Sequence, residues 1–164
     1  DRRQRQMCIR DSAVPTVATG IGHALFSSIW PSNPWSRAYR NETDMTTQRP
    51  AGWLSGSCLL VRWETFEAIG GFDERYFMYL EDVDLGDRFA RAGYQNIFCP
   101  EAVISHAKGH STQAHAGAML RAHHDSAYRF QADRHPAWWQ APLRGALWLG
   151  LRVRGLIASA SAGS

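Results

Sequence analysis

The sequence predicts an α/β fold made of short strands with flanking helices, followed by further helices at the carboxyl end. Three apolar runs are too short for helices and are bounded by glycine, proline or charged residues, which is typical of strands: 58–61, 95–99 and 102–105. Three other segments have the length or periodicity of helices: 63–69, 80–92 and 112–134. A chain of 164 residues is also long enough to bury one real core.

The first twelve residues have no apolar periodicity, and we interpret 1–12 as a non-native leader and exclude them from the prediction of the fold. They contain four arginines and two aspartates, so the formal net charge of +3 falls to +1 for the rest of the chain. The isoelectric point near 9.0 therefore gives no reason to expect a nucleic-acid partner.

Two of the three cysteines, Cys58 and Cys99, lie outside this leader and form no Cys-x-x-Cys motif. We expect them to be buried thiols in a protein of a reducing compartment. The chain has no run of 18 or more uncharged apolar residues, so the sequence predicts no membrane-spanning helix.

The amino-terminal part of the chain is predicted to contain one helix and one loop before the first strand. Residues 18–30 place Leu25 and Ile29 on one face, which predicts a short amphipathic helix that Pro31 ends. The polar residues 36–47 show no periodicity and predict a loop.

The strand predicted at 58–61 follows a segment that is rich in glycine. Gly52 and Gly56 permit close approach of the backbone, and Trp53 between them offers a stacking face. Ordinary core packing is an equally good interpretation of Trp53. The segment is therefore a candidate binding surface whose composition alone does not prove binding.

Two helices are predicted downstream. Residues 63–69 give about two turns that end at Gly70 and Gly71, where a positive φ costs little. Residues 80–92 carry an inward stripe and two favourable ion pairs one turn apart, and Gly93 ends this helix. The stripe consists of Leu85, Phe89 and Ala92, and the pairs are Asp84/Arg88 and Asp87/Arg91.

Three acids, Glu81, Asp82 and Asp84, occupy the start of the second of these helices. Acids gather at helix amino termini because the backbone N–H groups there are unpaired and the dipole is positive. Alternatively, one carboxylate is held in a cleft as a general base. The helix pattern leaves both interpretations open.

The carboxyl-terminal part begins with a histidine, His106, directly after the predicted strand 102–105, and continues into the polar, glycine-containing loop 108–111. Such a loop can close over a diphosphate with its cation and its backbone donors. The long helix 112–134 follows, and Arg129 on it could meet a phosphate or simply face solvent.

Residues 137–158 combine tryptophan, leucine and isoleucine with Arg144, Arg152 and Arg154. This composition is typical of a helix that lies in a membrane interface, with arginines toward anionic lipid. Packing against another part of a larger protein explains it equally well. Residues 159–164 predict a disordered tail.

Four segments together resemble the acceptor half of inverting family 2 glycosyltransferases of the GT-A type, in the rhamnosyltransferase branch. They are Gly52-Trp-Leu-Ser-Gly-Ser-Cys-Leu-Leu-Val-Arg62, Phe66-Glu-Ala-Ile-Gly-Gly-Phe-Asp73, Leu80-Glu-Asp-Val-Asp-Leu85 and Val103-Ile-Ser-His106. The resemblance implies an acceptor-side half of the catalytic domain at 13–111 and a helical extension at 112–158. Since family members begin with a nucleotide-binding half that ends in Asp-x-Asp, we expect this chain to be a carboxyl-terminal fragment.

The resemblance also implies the chemistry. L-Rhamnose would move from a nucleotide sugar, dTDP-rhamnose, to N-acetylglucosamine on a polyprenyl diphosphate, at the cytoplasmic face of the plasma membrane. Asp82 would be the base, Glu81 would orient the acceptor or the base, and Asp84 would be a weaker alternate. His106 would bind a divalent cation, Mn²⁺ or Mg²⁺. The implied substrate-binding residues are Trp53, Gly56, Ser57, Lys108, Ser111 and Arg129.

Two other function classes stay open at this point. The chain could be an inactive piece that binds the acceptor or docks on a membrane. It could also be a histidine-rich metal-binding module that uses His106, His110 and His115, although no ligand spacing matches a closed tetrahedral site. The sequence does not indicate an oligomeric state.

Overall fold

The computed structural model describes residues 11–20, 30, 32–35, 46–104 and 116–161. The strands are β1 (Asp11–Ser12), β2 (Arg49–Ala51), β3 (Trp53–Leu54) and β4 (Asn96–Phe98). The helices are α1 (Trp63–Ala68), α2 (Glu81–Arg91), α3 (Ala116–Arg134) and α4 (Ala141–Ser161), with a 3₁₀ turn at Trp138–Gln140. This mixture of helices and small sheets agrees with the predicted α/β class.

The described residues form two compact units. The sheet unit comprises those of 1–73 and 82–108, and the helical unit comprises those of 74–81 and 109–164. The segment 74–81 thus belongs with the carboxyl-terminal helices and not with the residues on either side of it in the sequence.

Two antiparallel strand pairs form the sheets of the sheet unit. Strand β2 pairs with β4, with Pro50 opposite Ile97, and β1 pairs with β3, with Ser12 opposite Trp53. The core of this unit consists of side chains from α2 and β4: Val83, Leu85, Phe89 and Phe98. An apolar stripe on α2 therefore positions the acids at the start of that helix.

Helices α1 and α2 both end in a Schellman motif, as their glycines predict. In α1 the Gly71 N–H donates to the Phe66 carbonyl at 2.9 Å, and Gly70 has a φ of 82°. In α2 the Tyr94 N–H donates to the Phe89 carbonyl at 2.9 Å, and Gly93 has a φ of 85°. These motifs satisfy carbonyls that the helix ends would otherwise leave unpaired.

Several local predictions for the sheet unit are wrong. Residues 58–61 form no strand and Leu60 is fully exposed, because no strand among the described residues runs alongside to supply hydrogen-bond partners. Residues 102–104 also lie outside any strand. Cys58 and Cys99 are exposed free thiols and not buried ones, and Ala92 is exposed beyond the end of the apolar stripe.

In the helical unit, α3 and α4 pack against each other around a short turn. Gly155 of α4 packs against the buried His124 ring of α3, where a Cβ atom would lie 3.4 Å from His124 Nδ1. The Arg144 guanidinium donates to the carbonyls of His135 and Ala137 at 2.7 and 2.9 Å. Arg144 therefore fixes the turn, whereas the sequence had suggested a contact with lipid.

The segment 74–81 lies along one stripe of α3. Arg75 pairs with Asp133 at 2.8 Å, and the hydroxyl of the buried Ser126 donates to the Met78 carbonyl at 2.7 Å. The Tyr79 ring meets His123 edge to face, with centroids 5.5 Å apart. The partners on α3 come earlier in the helix as the segment proceeds from Arg75 to Tyr79, so the segment runs antiparallel to the helix.

The predicted helix 112–134 is confirmed from Ala116 onward, and its first four residues lie outside the described part of the chain. Most of the predicted helix 18–30 and loop 36–47 also lies outside it. Helix α4 continues to Ser161, three residues into the segment predicted to be disordered. Within the residues that the structure describes, no helix is both long and apolar enough to cross a membrane.

Candidate active site

Asp82 is the second residue of α2, and two backbone donors hold its carboxylate. Oδ2 accepts the Gly56 N–H at 2.8 Å, and Oδ1 accepts the Val83 N–H at 2.8 Å. Gly56 is 26 residues away in the sequence, so this bond ties the glycine-rich turn to the start of the helix. Each carboxylate oxygen keeps further acceptor capacity.

Burial raises the pKa of Asp82, and the N–H donors of Gly56 and Val83 lower it by a smaller amount. A carboxylate with a raised pKa accepts a proton more readily than a solvated one. The backbone donors fix its orientation at the same time. Asp82 thus combines a fixed orientation with a raised pKa, and its role as the general base stays a prediction.

The Asp82 carboxylate lies on the wall of a cavity of about 340 Å³, which we call the Asp82 cavity. Most of its wall is apolar: Leu54, Leu59, Leu60, Val61, Leu85, Gly86, Phe89 and Ile97. The polar part is Arg62, Thr65, Asp82, Tyr94, Gln95 and Asn96. A largely apolar pocket with a few convergent polar groups is the usual form of a small-molecule site.

The run 58–61, which was wrongly predicted as a strand, supplies part of this wall. Leu59, Leu60 and Val61 all line the cavity although they are not in a strand. The apolar residues of this run therefore do form part of a cavity wall, although the secondary structure predicted for them is wrong.

The other two acids of the cluster have different surroundings. Glu81 places its Oε2 atom in a buried position. Asp84 is buried and accepts a hydrogen bond from Arg88 Nε at 2.7 Å, while Arg88 Nη1 donates to the Ile69 carbonyl. The predicted i,i+4 pair is confirmed, and it ties α2 to the end of α1. The role of Asp84 as an alternate base stays a prediction.

Burial raises the pKa of Asp84, and the Arg88 bond lowers it by a smaller amount. Asp73 and Asp87 raise it a little further through charge repulsion. Asp87 itself pairs with Arg91 at 2.9 Å, as predicted. Asp84 thus holds the Arg88 side chain that links α2 to the end of α1.

The sequence-based interpretation missed a close contact that holds β3 against α2. A Cβ atom on Gly86 would lie 2.7 Å from Trp53 Cβ, so only glycine fits in the middle of this helix. Asn96 Nδ2 donates to the carbonyls of both Gly52 and Gly86 at 3.0 Å. An isolated glycine inside a helical pattern is a signal of close packing, and it could have identified this position.

Trp53 packs on α2 at this contact and is not part of the Asp82 cavity wall. Its indole nitrogen is buried with no acceptor among the described residues. Ser57 is exposed beside Gly56, with its hydroxyl 3.1 Å from that of Ser55. The acceptor-binding roles of Trp53 and Ser57 stay predictions.

Two strained residues precede α2. Tyr79 and Leu80 have φ angles of 67° and 63°, a region that costs side chains other than glycine about 1 kcal/mol or more each. The contacts of the same segment with α3 hold Tyr79 in place. Strain of this kind concentrates at functional sites, and no sequence pattern revealed it.

Four further site residues were predicted from the sequence. His106, Lys108 and Ser111 are outside the described residues, as are His110 and His115 of the histidine-rich alternative. Arg129 belongs to the helical unit. Within the described ranges, no three histidine, cysteine or acidic side chains converge on a possible metal site. The described residues alone do not fit a cation.

A family model described as "Glycosyl transferase family group 2" matches residues 36–153. The matched range includes the Asp82 cavity, all of α2 and α3, and most of α4. No solved structure matches the chain significantly.

Curated relatives agree with the family model. N-acetylglucosaminyl-diphospho-decaprenol L-rhamnosyltransferase of Mycobacterium tuberculosis is 52% identical over 141 residues, which are 86% of this chain and 46% of the relative. Rhamnosyltransferase WbbL of Escherichia coli K12 is 36% identical over 82 residues, 50% of this chain and 31% of the relative. The chain thus spans about half the length of its Mycobacterium relative. On these matches, the chain belongs to glycosyl transferase family group 2.

Proposed function

We propose that the chain is the acceptor-side part of an inverting rhamnosyltransferase. It would transfer L-rhamnose from dTDP-rhamnose to N-acetylglucosamine on a polyprenyl diphosphate. The observation that carries the proposal is the Asp82 carboxylate, which two backbone N–H groups orient on the wall of a cavity. The name of the Mycobacterium tuberculosis relative supports the sugar and the acceptor.

Inverting transfer needs a base on the acceptor side. As the acceptor oxygen bonds to the anomeric carbon, its proton passes to Asp82 and the bond from that carbon to the nucleotide diphosphate breaks. The raised pKa of Asp82 favours this proton transfer. Glu81 orients the acceptor or the base, while Trp53, Gly56 and Ser57 shape the acceptor side.

A divalent cation, Mn²⁺ or Mg²⁺, is part of the proposal through His106. When bound, it would neutralise charge on the departing nucleotide diphosphate. Lys108 and Ser111 would contact the same diphosphate. Because the described residues alone do not fit a cation, no step of the proton transfer above depends on it.

Replacing Asp82 with asparagine tests the proposal. We expect turnover to fall about 10² to 10⁴ fold, because asparagine keeps the shape but accepts no proton. The assay uses the Mycobacterium tuberculosis relative with its matched segment exchanged for that of this chain. Rhamnose transfer from dTDP-rhamnose to N-acetylglucosaminyl-diphospho-decaprenol is measured. The matched control is Glu64→Gln, an exposed acid in α1.

Donor binding should be nearly unchanged in Asp82→Asn, and Glu64→Gln should be as active as the parent chimera. If Asp82→Asn keeps more than about a tenth of the parent turnover, Asp82 is not the base. A folded parent chimera that binds acceptor but transfers no rhamnose would instead support an inactive acceptor-binding piece.

We also propose that the protein binds the inner face of the plasma membrane through 137–158. The 3₁₀ turn exposes Trp138 and Trp139, which are 84% and 65% accessible, and the outer face of α4 exposes further apolar side chains. These are Trp148, Leu149, Val153, Leu156 and Ile157. Tryptophan at the headgroup level is typical of interfacial helices.

Sedimentation with vesicles tests this surface. Trp138→Ala combined with Trp139→Ala should reduce binding of the 164-residue chain to phosphatidylglycerol-containing vesicles about tenfold, while Trp63→Ala, an exposed tryptophan in α1, should leave it unchanged. Equal binding by all three proteins would exclude the turn as the contact. If the chain instead forms a dimer that the double variant abolishes, the exposed tryptophans contact another protein chain and not a membrane.

A further inference from the structure

The helical unit has a second cavity, of about 410 Å³, between α3 and residues 75–77. We call it the α3 cavity. Its charged side chains are Arg75, Arg121, Asp125 and Arg129, and its larger apolar ones are Phe77 and Met119. Alanines and Ser126 form the rest of the wall. The Ser126 hydroxyl already donates to the Met78 carbonyl, so the guanidinium groups are the strongest donors available to a ligand.

The charges in this cavity are unbalanced. Arg75 is neutralised by Asp133 at 2.8 Å. Asp125 lies one turn from Arg121 and one turn from Arg129, yet its nearest cation is Arg152 at 3.8 Å. Within the described part of the chain, Arg121 and Arg129 have no ion-pair partner. Two guanidinium groups thus give the cavity a positive charge, which suits an anion.

The apolar part of the cavity adds a second preference. Phe77 is 81% accessible although it lies in a segment that other side chains hold firmly against α3. Met119 adds a flexible apolar surface of the kind that adapts to different ligands. A cavity that contains two guanidinium groups and an exposed aromatic ring matches a ligand with a phosphate head and a hydrocarbon chain.

We propose that the α3 cavity binds the diphosphate and the first isoprene units of the polyprenyl acceptor. Arg121 and Arg129 bind the diphosphate, and Phe77 and Met119 contact the chain. This inference rests on the proposed function, because the proposed acceptor carries both of these chemical groups. A nucleotide diphosphate shares the same head group, so the apolar contacts decide between the two sources.

Binding of four probes to the 164-residue chain tests this inference without any turnover. The probes are farnesyl diphosphate, inorganic pyrophosphate, farnesol and dTDP. We expect farnesyl diphosphate to bind about tenfold or more tightly than each of the others, because only it combines both chemical parts. Raising the salt concentration should weaken this binding.

Variants locate the site. Arg121→Gln and Arg129→Gln should each weaken farnesyl diphosphate binding about tenfold, since each removes a charge-assisted contact. Phe77→Ala should weaken binding of farnesyl diphosphate but not of pyrophosphate. The control Arg91→Gln removes the same charge from the sheet unit and should leave binding unchanged.

Three outcomes would overturn the proposal. Equal binding of pyrophosphate and farnesyl diphosphate would reduce the cavity to a general anion site. Tighter binding of dTDP would assign it to a nucleotide, and tight binding of farnesol would leave only an apolar patch. Farnesyl diphosphate binding is measured without turnover, whereas the proposed base is tested by the turnover of Asp82→Asn. A failure of the α3 cavity proposal can therefore be distinguished from a failure of the proposal that Asp82 is the base.

Discussion

The two cavities differ in how they hold charge, and the difference separates two kinds of task. The Asp82 cavity contains a carboxylate that backbone N–H groups hold within a largely apolar wall. The α3 cavity contains guanidinium groups on long side chains, two of them without an ion-pair partner among the described residues. A carboxylate that the backbone holds in one orientation suits proton transfer at a fixed point. Arginine side chains are long and flexible, which suits reversible binding of an anion.

The supporting structure differs in the same direction. The sheet unit fixes α2 through a glycine contact, an asparagine bridge and the Arg88 hydrogen bond to the Ile69 carbonyl. The helical unit holds the segment 74–81 with one exposed ion pair, one hydroxyl bond and one ring contact. We therefore expect equivalent changes to cost more in the sheet unit than in the helical unit.

Matched glycine substitutions give the largest expected difference. Gly86→Ala places a Cβ atom 2.7 Å from Trp53 Cβ and 2.9 Å from its Cα. Since backbone cannot move aside cheaply, we expect a loss of about 3 kcal/mol in the free energy of unfolding. Gly145→Ala in α4 meets no atom within 4 Å and should instead stabilise the protein by about 0.5 to 1 kcal/mol.

Urea unfolding of both variants measures the difference. An unchanged stability for Gly86→Ala would mean that β3 and α2 are not held by this contact. Asn96→Ala, which removes the bridge to Gly52 and Gly86 without a clash, would then show whether that bridge alone holds them.

Matched changes in ion pairs give a smaller difference. Asp84→Asn leaves the partly buried Arg88 without its carboxylate, and we expect a loss of about 2 kcal/mol. Asp133→Asn breaks the exposed pair with Arg75 and should cost about 0.5 kcal/mol or less, because solvent already screens that pair.

The same unfolding measurement applies to this pair of variants, at low and at high salt. Salt should reduce the cost of Asp133→Asn further and change that of Asp84→Asn little. Equal costs for the two substitutions would contradict the proposed difference in rigidity between the units.

The helices could be predicted from the sequence because their signals are local. Leu85 and Phe89, one turn apart, marked the buried face of α2, and glycines with a positive φ marked the ends of α1 and α2. The Asp84/Arg88 and Asp87/Arg91 pairs followed from helix geometry in the same way. Such features need no knowledge of distant residues.

The failures involve partners that are distant in the sequence. A strand at 58–61 requires a neighbouring strand, and an apolar run contains no information about whether one is available. The bond from Gly56 to Asp82 spans 26 residues, and the attachment of 74–81 to α3 spans nearly 50. The resemblance in the sequence thus made Asp82 a candidate base, but the sequence could not reveal which backbone groups orient its carboxylate.

The pH dependence of stability should have opposite signs in the two units, and this is the smallest effect that we expect. Burial lowers the pKa of His123 and His124, and the positive charge of Arg154 lowers both further. The unfolded chain therefore binds more protons than the folded helical unit below the ordinary histidine pKa of about 6.5. Stability of the helical unit should fall as the pH drops through this range toward the lowered values.

Asp82 and Asp84 act in the other direction, because burial raises the pKa of both above 3.8. Between pH 3.8 and the raised pKa values, these two acids bind more protons in the folded sheet unit than in the unfolded chain. Their contribution therefore makes the sheet unit less stable as the pH rises through this range. Amide hydrogen exchange at pH 7 and pH 5 measures each unit separately. Protection in α3, corrected for the intrinsic exchange rate, should decrease at pH 5, while protection in α2 should be maintained or increase. His124→Gln should reduce the decrease in α3, and an equal decrease in both helices would mean that the histidines do not control it.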